Sequence, residues 1–175
     1  MLSEAFRIHN STISKIVPIV CNAIWNELSE EEIKCPKTEE EWLEKANNFN
    51  IKWNFPWGLG ALDGKHCVTQ AFGNSGSLFY NYKKTFSVIL LALADANYKF
   101  LYVDIGSPGM NNDAGVMLNS SLQNAMTSDT LNMPKSSLRG VDYHILGDDA
   151  FGYTSRGLTP SQRIFNLRFS TYHVI

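Results

Sequence analysis

At 175 residues and 19.7 kDa, the chain has the size of one domain, or of one domain with a small helical preface; with 44% hydrophobic and only 18% charged residues it can fill a core, which excludes wholesale disorder. The longest aliphatic run, Val88 to Ala94, falls far short of the ~20 residues of a membrane-spanning helix, and the first ten residues carry neither a basic nor an apolar secretion region, so no membrane and an intracellular, reducing compartment are expected. The formal net charge of −2 hides a split: residues 1–44 hold all nine glutamates against four basic residues, a net of −5, whereas residues 45–175 hold eight aspartates against eleven Lys and Arg, a net of +3.

The preface reads as helical. Ile13, Ile16, Val17, Val20, Cys21, Ile24, Trp25 and Leu28 recur at i, i+3, i+4 spacing, with Asn10 or Ser11 placed to cap the first turn and Pro18 expected to bend or weaken it. The segment from Ala5 to Ser14 reads either as the turn and second-helix start of a helix-turn-helix or as an ordinary capped helix. A short acidic helix to about Asn48 follows from the capping box Thr38-x-x-Glu41. After the turn Trp53-Asn54-Phe55-Pro56-Trp57-Gly58-Leu59-Gly60 the pattern becomes strand-like, which sets a boundary near residue 56: helical preface over 1–55, main domain over 56–175. Strands are expected over Ala61–Thr69, Phe86–Ala94, Phe100–Ile105 and Tyr143–Leu146, with one amphipathic helix from about Ala114 to Met126, an order β-β-β-α-β. Asp95-Ala96-Asn97 makes the second and third strands an antiparallel hairpin, and the helical crossover makes the fourth parallel to one of the others. Cys21, Cys35 and Cys67 fit no disulfide or zinc spacing, and the four histidines form no zinc pair, so three free thiols and no zinc are expected.

Because every acid after Glu44 is an aspartate, carboxylate chemistry in the larger part falls to Asp. Asp63 sits inside an otherwise apolar strand between Gly60-Ala61-Leu62 and Gly64-Lys65-His66, where glycines allow close approach to the backbone. Asp148 and Asp149 close the fourth strand, at the strand end where α/β sheets present ligand sites. If those strands are neighbours, Asp63 and Asp148 would repel and share divalent cations, for which hard oxygen ligands suit Mg or Mn; otherwise Asp63 is satisfied by backbone amides or Lys65, and Asp148 caps a turn. Asp113 ends the polar glycine loop from Gly106 and is either a third acidic ligand or a helix N-cap. Between the first two strands, Tyr80, Tyr82, Lys83 and Lys84 interleave aromatics with lysines, a pattern for stacking on bases and contacting phosphates, or a hydrophobic loop anchor.

The strings F-P-W-G-L-G-A-L-D-G-K-H, S-G-S-L-F-Y-N-Y-K-K-T-F-S-V-I-L-L-A-L-A-D-A-N-Y-K-F, V-D-I-G-S-P-G-M-N-N-D-A-G-V and L-G-D-D-A-F, in that order, resemble the DDE-superfamily endonuclease domain of PIF/Harbinger transposases and the nucleases derived from them. The similarity runs from about Phe6 to about Phe169. It implies a ribonuclease-H-like α/β fold, DNA as substrate, the nucleus as compartment, and Mg or Mn ions held by two aspartates and a glutamate. The first family aspartate falls on Asp63 and the second on Asp148, the two catalytic candidates, while Asp113 matches a further recurring aspartate. The family glutamate lies on a helix after an R-I-F-N-like segment; here Arg163-Ile164-Phe165-Asn166 is followed by Ile175 nine residues later, and residues 150–175 contain no acid. The expectation is therefore a metal-dependent DNA endonuclease domain cut short at both ends and impaired for want of its third ligand. The alternative is a non-catalytic transposase remnant adapted to bind DNA or protein. A protein partner subunit and the oligomeric state stay open.

Overall fold

The computed structural model describes residues 2–134, 142–147, 151 and 164–166. The chain divides into two compact units, Met1–Lys34 and Cys35–Ile175. In the first, helix α1 (Leu2–Phe6) turns through Arg7, whose φ is +53°, into α2 (Asn10–Glu32). The cap of α2 is His9 rather than Asn10 or Ser11: its ring accepts from the Ser11 amide, and the helix begins one residue earlier than the polar run suggests. Pro18 lies within the helix, and none of its 23 residues is buried.

The second unit opens with α3 (Glu39–Trp53). Thr38 accepts from the Glu41 amide while the Glu41 carboxylate reaches back to the Lys37 amide, so the capping box forms with the return bond one residue upstream. The helix runs five residues past the expected end and stops at Asn54, which adopts the left-handed conformation and donates to the Phe49 carbonyl. Its sequence reads as acidic and solvated, yet Trp42, Ala46 and Phe49 recur at helical spacing and are all buried. The Trp42 indole is fully buried and donates to the Leu131 carbonyl at 2.8 Å. That burial is why the compact units divide between Lys34 and Cys35, ahead of this helix, and not near residue 56.

The sheet comprises β1 (Gly58–Val68), β2 (Ser87–Ala94), β3 (Phe100–Pro108), β4 (His144–Gly147) and β5 (Ile164–Asn166), in the order β3-β2-β1-β4-β5. The β1–β2 and β2–β3 pairs are antiparallel, the second as the tight Asp95 turn requires; β4 is parallel to β1, as a helical crossover requires, and β5 is parallel to β4. Asp95 makes the hairpin by accepting from the amides of Asn97 and Lys99, and Lys45 of α3 pairs with its other oxygen at 3.2 Å. The expected single helix is two, α4 (Asp113–Leu118) and α5 (Ser121–Thr127). The break falls at Asn119-Ser120, where buried Ser120 donates to the Met117 carbonyl and accepts from the Gln123 amide, closing one helix and capping the next. Leu59, Leu62, Ile89, Leu91, Leu93 and Ile145 of the sheet pack with Trp42 of α3 and with Val116, Met117, Leu122 and Met126 of the two short helices. This mixed α/β arrangement is compatible with the ribonuclease-H-like fold that the resemblance implies. Among the described residues no helix is long and apolar enough to cross a membrane.

Trp42→Ala removes the largest side chain of this core and strands the Leu131 carbonyl. The expected loss is about 3–5 kcal/mol of unfolding free energy, measured by urea denaturation of the whole chain.

Candidate functional site

β1 is the middle strand of the five, which fixes what can surround its polar residues. Its first half is buried and its second half opens to solvent: Leu59, Gly60 and Leu62 are buried, whereas Asp63 and Lys65 are exposed. The Asp63 carboxylate accepts from the Gly64 amide at 2.8 Å, a local bond that orients it along the strand. Gly64 pairs with Leu91 of β2, and the space that its side chain would fill is taken by the Asp113 carboxylate, which a methyl group there would overlap. The sequence expectation that glycine beside Asp63 admits a close neighbour is thus met by an identifiable group.

Asp113 is not the helix cap. Asn112 fills that role, its side-chain oxygen accepting from the Gly115 amide at 2.7 Å, which leaves Asp113 as the first residue of α4. There the helix N-terminus favours its charge, and its position sets the carboxyl against β1, one residue along from Asp63. Successive side chains of a strand point to opposite faces, so Asp113, at the place of the missing Gly64 side chain, lies on the face that bears Leu62, whereas the Asp63 side chain points to the face that bears Ala61. Asp148 and Asp149 lie outside the described residues. The strand that leads to them, β4, is a direct neighbour of β1, with Ala61 beside Leu146. At the start of β4, His144 is buried edge-on to Phe55, and burial holds its pKa below the usual value of 6.5. Its Nδ1 donates to the Asp142 carbonyl at 3.1 Å.

The loop between β1 and β2 ends in a tight turn over Asn81–Thr85, closed by an isolated bridge between Tyr80 and Phe86. Buried Asn81 organises it: its side-chain oxygen accepts from the amides of Lys83 and Thr85, and its amide nitrogen donates to Ser87 Oγ at 2.8 Å. Lys84 takes a φ of +61° at the tip. The outcome is that Tyr82, Lys83 and Lys84 are exposed, with Tyr80 partly so. Lys83 Nζ stands 5.4 Å from the Tyr82 ring centroid, and that ring meets His66 of β1 edge-on at 5.5 Å. His66 lies three residues beyond Asp63, so the turn sits ~10 Å along the strand from that carboxylate.

Sequence reasoning missed the network that fixes this turn. Ser87 Oγ, fully buried, accepts from Asn81 and shares a hydrogen bond of 2.9 Å with His66 Nδ1, in which the hydroxyl is the donor when the neutral ring carries its proton on Nε2. Burial first, and the nearby Lys83 charge second, lower the His66 pKa, so the ring is neutral at pH 7 and can accept that proton. Asn81-x-x-x-Thr85 was the available signal, since an asparagine whose side chain holds the backbone on its C-terminal side is a turn device. Gly109 is the other omission: the place of its missing side chain is occupied by Ser87 Oγ and the Phe79 carbonyl, while the Met110 amide donates to the Leu78 carbonyl at 3.2 Å. These contacts tie the loop that delivers Asp113 to the loop that presents Tyr82 and the two lysines.

The profile of the DDE superfamily endonuclease family matches residues 62–175. Protein ALP1-like of Arabidopsis thaliana is 28% identical over 172 residues, covering 93% of this chain. The chain spans 40% of the length of that curated relative. No solved structure matches.

The close approach at Gly64 is open to a double-mutant cycle. Gly64→Ala is expected to cost about 1–3 kcal/mol by overpacking, and Asp113→Ala in the same chain should recover much of it, a coupling read by thermal or urea unfolding. Additive effects would place the carboxylate elsewhere.

Proposed function

This chain belongs to the DDE superfamily endonuclease family, and on that premise we propose that it is a Harbinger-type, transposase-derived nuclease domain that acts on DNA in the nucleus through divalent metal. The observation that carries the reading is the adjacency of β1, which bears Asp63, and β4, the strand that precedes Asp148: Ala61 lies beside Leu146, each two residues before one of the acids. The strand order, with three antiparallel strands and then two parallel ones, supports the ribonuclease-H-like version of the fold.

The donor set fits the metal. Carboxylate oxygens are hard ligands suited to Mg or Mn, and Asp63 is exposed where an ion could reach it. Asp63 and Asp148 would hold the ion, whereas Asp113, the third acid that the sequence offers, approaches β1 from the opposite face. When bound, such ions supply an activated water and stabilise the leaving oxygen of an in-line phosphoryl displacement. The chain's own contribution is placement. The Gly64 amide keeps the Asp63 carboxylate from swinging freely, and the Asn81 turn fixes two lysines and two tyrosines in one loop. Lys83 and Lys84 would contact phosphates while Tyr80 and Tyr82 stack on unpaired or distorted bases, which suits the net +3 of residues 45–175.

Metal titration tests the acids. Mn binding to the whole chain, followed calorimetrically, should weaken at least tenfold in Asp63→Ala and in Asp148→Ala, and an unchanged isotherm in both would remove the metal site. Cleavage of supercoiled DNA by residues 1–175 alone is expected to be slow, because carboxylates that leave an ion misplaced by ~1 Å cost roughly a hundredfold in rate. Adding a glutamate-bearing helix should raise it. Robust cleavage without that addition would assign the third-ligand role to Asp149. Retained DNA binding with no cleavage in either form would return the non-catalytic reading.

DNA binding should fall steeply with added salt. Changing Lys83 and Lys84 together to Ala should lower both the affinity and the slope of log K against log salt, by about two phosphate contacts. Fluorescence anisotropy over a salt series measures this, and a salt-independent affinity would exclude a phosphate-tracking surface.

A further inference from the structure

Helix α2 presents a long apolar stripe with nothing of its own unit against it. Ile16, Val17, Val20, Ile24, Trp25 and Leu28 are exposed, as is Cys21, and no residue of the helix is buried. A helix with proline in its interior and no packed face is poorly held by propensity alone, since most helical stability in proteins comes from burying one side.

The stripe has an internal symmetry. Its members Ile13, Ile16, Val17 and Val20 mirror Leu28, Trp25, Ile24 and Cys21 about a point between Val20 and Cys21. Laid antiparallel on an identical helix about that point, Ile13 meets Leu28, Ile16 meets Trp25, Val17 meets Ile24, and Val20 meets Cys21. Each contact is made twice, as a two-fold interface requires. The apolar contact runs about 22 Å along the axis.

The charges choose the same arrangement. The acids of α2 all lie near its C-terminal end, at Glu27, Glu30, Glu31 and Glu32, and the first turn holds none. In the antiparallel register Glu31 falls opposite Asn10, Glu27 opposite Ser14 and Glu32 opposite His9. Each of these acids then faces a hydrogen-bonding side chain beside the positive end of the other helix dipole. A parallel pair would instead stack the acidic ends on each other. We infer that α2 is a self-association helix, pairing antiparallel with α2 of a second copy of this chain in a register centred between Val20 and Cys21. The catalytic reading of the other unit is not needed for this.

Disulfide trapping in the whole chain tests the register. With Cys21 changed to Ala, two single variants are made, Val17→Cys and Ile24→Cys, and Cys21→Ala by itself reports any background from Cys35 and Cys67. The Cys35 thiol is pushed up to about 11 by burial and by Glu41, which keeps it slow to oxidise. An equimolar mixture of the two variants should cross-link on mild oxidation, while each alone should not. Residues 17 of the two copies would be separated by seven rises, about 10 Å, beyond the reach of a disulfide. In sedimentation, the native chain should dimerise at micromolar concentration, and Val20→Asp should raise the dissociation constant by about a hundredfold or more by burying an unpaired charge. Self-linking of either single variant as efficient as the mixture would mean a parallel pair and overturn the proposal. A native chain that stays monomeric would overturn it also.

Discussion

The organisation of the larger unit depends on one missing side chain. Gly64 lies on the central strand, next to the exposed Asp63, and only a residue without Cβ leaves room for the Asp113 carboxylate. A larger residue would force that carboxylate to give way at the start of α4, and α4 brings Val116 and Met117 into the same core as Leu62 and Leu91. The packing of that helix and the placing of Asp113 are consequently one event.

Much of this was legible in the sequence, for reasons that differ by element. Val88 to Ala94 could only be a strand buried on both faces, and the Asp95 turn could only return it antiparallel, so the β2–β3 hairpin was readable from local chemistry. The Thr38 cap marked the start of α3 to the residue. Its burial was harder to read, because Trp42, Ala46 and Phe49 are diluted by Glu39, Glu40, Glu41, Glu44 and Lys45, and the charges outnumber the apolar positions that do the packing. The break at Ser120 escaped notice because amphipathic spacing carries through it. What ends α4 there is a buried hydroxyl serving two backbone groups at once, which periodicity does not register. Asp63 and Asp113 were singled out by their glycine surroundings, but the approach of Asp113 to Gly64 is a long-range contact that no local pattern encodes.

The two loops beside the acids show how such contacts make a site stiff. Asn81 fixes the turn that holds Tyr82, Lys83 and Lys84, and its bond to Ser87 anchors that turn to β2. Gly109 then lets the segment leading to Asp113 pack on the same Ser87 and on the Phe79 carbonyl. Phosphate-contacting candidates and acidic candidates therefore share a support, and His66 sits between them as a neutral ring that accepts from Ser87. Protonating His66 would replace that acceptor with a donor and set a positive charge beside Lys83. The turn should accordingly loosen as pH falls below the ordinary histidine range, because the unfolded chain takes up the proton first.

The separation of acid types along the chain follows from the same geometry. Glutamate, with three side-chain torsions, reaches far and is held loosely, which suits the solvated ends of α2 and α3, where every glutamate of those helices serves a cap, a dipole or a surface. Aspartate reaches one methylene less, so it can stand against a strand only when the two backbones come close, and a close approach on a central strand needs glycine. A glutamate at 113 would carry its carboxylate beyond the Gly64 Cα rather than against it. A larger residue at 64 would move an aspartate there out of reach. Gly64 and Asp113 therefore constrain each other's identity.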